Sequence, residues 1–315
     1  GTSGKLIFAS GSATGGKGGD ITISIGQTVT EVGNSATFIA GAQTDHTGGA
    51  LSLFAGFGEP TSSGAVRVST ASAGVSGISG GLEFTSGTTS SGASGEIILS
   101  TGAATHGVGG IIHLAVSKSK TDVGGDLLTF GGKNTLYSGG AVSIQSGVGV
   151  FKSSGALTIQ TLNSGISGVS GTLIFSTGTT SSGTSGKVML ASGAATVGRA
   201  GNIMLAVGSS ATESGGNIMN LPGTSISNTG GTLSASSGTG DATSSGSIVI
   251  QSTNAGSSGV SGILTFTTGT TSRGSSGQAV ISSGNAVAAG SGDITLGIGS
   301  GNLGVGGYIQ INSGD

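Results

Sequence analysis

The sequence predicts an all-β fold, a parallel β-solenoid of 21 stacked coils, each of 15 residues except for a 16-residue coil in every sixth place. Three observations predict it. A glycine recurs at a fixed interval. Apolar residues stand two and four places after it. Charge is kept out of those places along the whole chain.

Take the recurring glycine as position 0. It runs Gly4, Gly19, then Gly49, Gly64, Gly80, Gly95 and onward to Gly307, with Asn34 as the single substitute. Every step is 15 residues except those from Gly64 to Gly80, Gly155 to Gly171 and Gly246 to Gly262, which are 16. Glycine adopts positive φ freely, and Asn tolerates it better than most residues. Position 0 is therefore expected to be a turn with positive φ, with Gly4, Gly19, Gly95, Gly186 and Gly277 as representative turn glycines.

Position 2 is apolar in all 21 repeats and position 4 in 19, the exceptions being Thr129 and Asn220. Position 7 is Gly in 17 of 21. Apolar residues two apart with mixed residues between them are the mark of a half-buried strand. Lys5, Asp20, Glu96, Asp126, Lys187 and Asp293 stand at position 1, and Arg67 and Glu83 at position 3. The other charges fall at positions 8 to 13, and none at 2, 4, 6 or 9. These last four positions are expected to face an interior. Positions 10 to 13 show no parity, which leaves the second face undefined.

Stacking in register would pair each strand with its equivalent about 4.8 Å away, so that 21 coils make a rod of roughly 100 Å. One coil holds two large apolar side chains against fifteen backbones to be ordered, so no coil is expected to stand without its neighbours. Parallel crossovers favour a right-handed winding.

A longer period overlies the first. Five repeats of 15 and one of 16 make 91 residues, and the wording follows: Gly80 begins GGLEFTSGTTSSGAS, Gly171 begins GTLIFSTGTTSSGTS and Gly262 begins GILTFTTGTTSRGSS. Where Thr129 and Asn220 interrupt position 4, the next position is apolar in Ile39, Phe130 and Leu221, which predicts a bulge or a shift of register. The first and last repeats read like interior ones. The expectation is one uncapped solenoid over 1–315, a segment of a longer chain or a subunit that stacks end to end, because open sheet edges invite pairing.

Position 3 should face outward, yet Ile174, Met189, Met204 and Met219 occupy it in consecutive repeats, and Ile98 and Leu128 fill equivalent places one super-repeat earlier. A stacked apolar stripe predicts lateral packing against another segment. The plainer alternative is that sheet surfaces carry scattered apolar residues without consequence.

Composition narrows the chemistry. Of 315 residues 69 are Gly, charged residues make up 7% and aromatics 3%, Cys is absent and the net charge is −2. No basic footprint for nucleic acid exists, and no apolar run is long enough to span a membrane as a helix. The lack of Cys excludes disulfides and thiolate metal sites. No acidic residues share a position in adjacent repeats, so a paired-carboxylate site is not expected. Lys5 and Asp20 read as a surface ion pair, Lys118 and Lys133 as solvated, and His46, His106 and His113 as separate surface residues. The phosphate-binding GxxxxGK[ST] pattern and the calcium-binding GGxGxDxUx nonapeptide are both missing. No cofactor and no metal are expected. None of the eleven Asn begins an N-x-[ST] sequon, so sugars, if carried, are O-linked.

The phrases SGKLIFASG, SGEIILSTG and SGKVMLASG resemble the long Gly/Ser-rich β-solenoid proteins of cell surfaces and extracellular filaments. The resemblance spans the chain and implies an extracellular or cell-surface location, a fibre or adhesive role, and partners that are other copies of the chain or surface polysaccharide. The expected function is a structural filament, not an enzyme. An adhesin stalk and an ice-binding solenoid are the alternatives. The second needs an unbroken Thr ladder, which Glu59, Gly74 and Lys120 interrupt at position 10.

Overall fold

The computed structural model describes residues 4–27, 29, 33–59, 62–120, 123–211, 214–302 and 306–313. Among the described residues there is no helix and no strand. The predicted β-solenoid is therefore not formed, and the all-β assignment and the bulge expected at Ile39, Phe130 and Leu221 go with it. The right-handed winding and the 4.8 Å rise likewise have no ladder to define them. None of the described apolar side chains is buried. Among the described residues only Ala40, Gly58 and Gly149 lose most of their exposure. The accessible surface is 31695 Å². A folded chain of 29.3 kDa would show about 11,500 Å² and a fully extended one about 42,500 Å² by the usual scaling.

Two physical causes oppose the ladder. Glycine surrenders more conformational freedom on ordering than any other residue, and there are 69 of them. Short polar side chains also offer the backbone local partners in place of a neighbouring strand. Thr89 Oγ1 accepts from the Ser91 amide at 3.3 Å and donates to the Ser91 carbonyl at 2.9 Å. Thr180 does the same with Ser182, and Thr271 with Arg273. Asn134 Oδ1 accepts from the amides of Leu136 at 2.8 Å and Tyr137 at 2.7 Å. In the equivalent place Ser225 Oγ accepts from the Asn228 amide at 3.0 Å.

The 15-residue period survives as a regular bend. Bends fall at 14–16, 44–46, 90–92, 105–107 and 135–137, and again at 181–183, 196–198, 226–228 and 272–274. These are positions 10 to 12. In the 16-residue repeats the bend moves one place on, to 75–77, 166–168 and 257–259. The extra residue therefore lengthens the arm before the bend.

The chain divides into two units, Gly1–Leu157 and Thr158–Asp315. In the first, the amides of Gly49, Gly64, Gly140 and Gly155 donate to the carbonyls of Gly41, Gly56, Gly132 and Gly147 at 2.8–2.9 Å. In the second, Gly231 and Gly246 donate to Gly223 and Gly238 in the same way. Each bond joins position 7 of one repeat to position 0 of the next, closing the arm back on itself across the bend.

That closure explains position 0 differently from the expectation. None of Gly4, Gly19, Gly95, Gly186 and Gly277 has positive φ. Positive φ belongs to glycines within or just closing the bends, among them Gly92 (106°), Gly183 (105°), Gly198 (107°) and Gly274 (105°). At position 0 the demand is for space. A Cβ on Gly140 would lie 2.9 Å from the Gly132 nitrogen, and one on Gly125 or Gly216 would lie 2.7 Å from Cγ1 of Val116 or Val207. Gly19, Gly95, Gly186 and Gly277 pass 3.3–3.6 Å from the side chains of Ser10, Ser86, Thr177 and Thr268 on the same measure, while Gly4 has no such neighbour.

In dilute solution the chain is expected to give a circular dichroism spectrum without the sheet minimum or the helical pair of minima; a strong sheet signal from monomers would contradict this structure. Gly183→Ala is expected to cost its bend about 1–2 kcal/mol, since an L side chain is forced to positive φ. Gly178→Ala, where nothing lies within 4 Å, is expected to leave the chain unchanged. Amide shifts and exchange at Ser182 would read the difference.

Candidate functional site

What the chain offers a partner is apolar surface presented at regular intervals. Along each arm, positions 2 and 6 are the most covered: Ile25, Val116, Val207 and Ile298, all at position 6, are 46–50% exposed. Val116, Val207 and Ile298 lie against the glycine that begins the next repeat, as Val116 does against Gly125. Position 4 was expected inside with them but is more open. Phe8, Phe84 and Phe175 there are exposed.

The position-3 residues are open, and those at position 5 (Ile39, Phe54, Phe130 and Leu221) are as open or more so. Ile174 and Met189 are each 73% exposed, Met204 86% and Met219 71%. All four fall in Thr158–Asp315, and they include every methionine of the chain. Their unbranched, polarizable thioethers adapt to irregular partners. Ile98 and Leu128, in Gly1–Leu157, are equally open.

Two open cavities lie within the second unit. One, of about 1100 Å³, is lined by Ser192, Gly201, Asn202, Ile203 and Met204 with Ser236 and Gly238 from a later repeat. The other, of about 440 Å³, is lined by Phe266 on one side and Ala279, Val280 and Ile281 on the other. Phe266 and Ile281 both stand at position 4. Equivalent residues of consecutive repeats thus face one space without filling it.

The polar candidates stay dispersed. His46, His106 and His113 are exposed, and among the described residues no three His, Cys, Asp or Glu side chains gather as metal ligands would. Lys5 and Asp20 form no ion pair, because no ladder holds their repeats at strand spacing. Among the described residues no helix is long and apolar enough to cross a membrane.

Sequence reasoning passed over the bend tips. Val75, Ile166, Val197 and Val287 stand there almost fully exposed. The signal was apolar residues recurring at positions 10 and 11, which periodicity along the arm does not register. No family model matches this chain, and no curated protein or solved structure matches it either.

Proposed function

We propose that the chain is a non-catalytic, self-associating segment of an extracellular or cell-surface fibre. The observation that carries this reading is the repeated exposure of large apolar side chains at fixed positions. Water leaves such surface uncovered at about 25 cal/mol per Å², and exposed apolar patches on soluble proteins are otherwise small. A chain that cannot cover them alone gains by covering them against its own kind.

Low charge suits this role. With 7% charged residues and a net charge of −2, copies repel one another weakly. A chain so rich in Ser, Thr and Gly also presents hydroxyls along its length, which is where O-linked sugars would attach. The contact is assigned to the stripe Ile174, Met189, Met204 and Met219, with the apolar bend tips as further points of adhesion.

Sedimentation velocity over a range of concentrations tests the reading, with association growing as concentration rises. The triple variant M189K/M204K/M219K is expected to raise the concentration needed by tenfold or more, since each buried Met contributes on the order of 1.5–3 kcal/mol. A chain that stays monomeric at all concentrations, or a variant that associates as the parent does, would refute it.

A further inference from the structure

We propose that copies of this chain associate with an offset of one super-repeat, so that residue n of one copy lies beside residue n − 91 of the next. The inference rests on the self-association reading and adds the identity of the partner segment and its register.

The carrying observation is a charge alternation at equivalent places. Position 1 holds Lys5, then Glu96 91 residues later, then Lys187 another 91 residues on. An offset of one super-repeat sets Lys187 of one copy against Glu96 of the next, and Glu96 against Lys5. Two copies with no offset set every charge against its own kind, which cross-chain contacts disfavour.

Half of the apolar stripe agrees with the same offset, while Ile174 then meets Glu83 and Met204 meets His113. Met189 meets Ile98, Met219 meets Leu128, and Val280 meets Met189. All five side chains are 69–73% exposed, so none must be uncovered to make the contact. On an extended arm positions 1 and 3 point to the same side. Lys187 with Met189, and Glu96 with Ile98, thus present matched charged and apolar points together. Two pairs run the other way: the offset brings Glu31 to Asp122 and Asp122 to Glu213. These stand at position 12, away from positions 1 and 3, and lie outside the described residues.

An offset contact is heterologous. Each copy uses a different surface for the copy before it and the copy after it, so the assembly does not close and grows as a filament.

Cysteine trapping reads the register, because the chain has no Cys of its own. Ile98→Cys and Met189→Cys chains are prepared separately, mixed at an associating concentration, and treated with a mild oxidant. Disulfide-linked pairs are expected from the mixture and not from either variant alone. Homodimers of the Met189→Cys chain, or association without any crosslink, would overturn the offset while leaving self-association standing. Absence of association in the parent chain would overturn both. As a second arm, K187E is expected to weaken association about tenfold. The triple reversal K5E/E96K/K187E, which restores the alternation with opposite signs, is expected to recover it. A triple reversal no better than K187E would overturn the proposal.

Discussion

The clearest constraint in this chain is one close approach, where in several repeats the backbone at position 0 passes the end of the preceding arm. The amide of Gly140 donates to the carbonyl of Gly132, and there is no room between them for a Cβ. Gly125 and Gly216 pass the side chains of Val116 and Val207 more closely still. A turn demands a dihedral angle, which Asn can also supply. A crossing demands the absence of a side chain, which only Gly supplies. At Gly125, Gly140 and Gly216 the recurring Gly thus marks a crossing, and the positive-φ glycines at the bends answer a separate need.

Closing each arm on itself has a consequence for the apolar residues. The side chains beside the crossing, such as Val116 and Val207, gain partial cover from it. Those in the middle of the arm, at positions 3 and 4, gain little. The bend side chains of Thr89, Asn134 and Ser225 satisfy nearby amides locally, which lessens the pull of a neighbouring strand on the same groups. Apolar surface is then left in a graded pattern, more covered at positions 2 and 6 and least covered at position 5 and at the bend tips.

The period was legible in the sequence, and so was the place of the 16-residue repeats, because both appear as spacing between glycines. Bends at positions 10 to 12 follow the predicted grid closely. The fold class was not legible. Alternating apolar residues such as Leu82 and Phe84 state which side chains would gain from burial, and say nothing of whether one chain can supply the cover. Position 0 was read through conformational preference when the cause was steric, a distinction that spacing and composition cannot draw. The stripe at Met189, Met204 and Met219 was legible as a set of equivalent positions. The bend tips were missed since Val75 and Val197 break no pattern along the arm and belong to none.

A short repeat creates a difficulty for any assembly built from it. If all repeats were identical, an offset of one, two or three repeats would match apolar positions equally well, and copies would trap one another in many registers. An offset of 15 already sets Met204 against Met189 and Met189 against Ile174. Under the proposed offset, variation at position 1 on the 91-residue period would remove that degeneracy. Lys187 meets Asn202 or Thr172 at an offset of 15 and meets Glu96 only at an offset of 91. Apolar positions can then set strength while sparse charges set register, the division of labour seen where a few polar residues fix the alignment of otherwise uniform contacts.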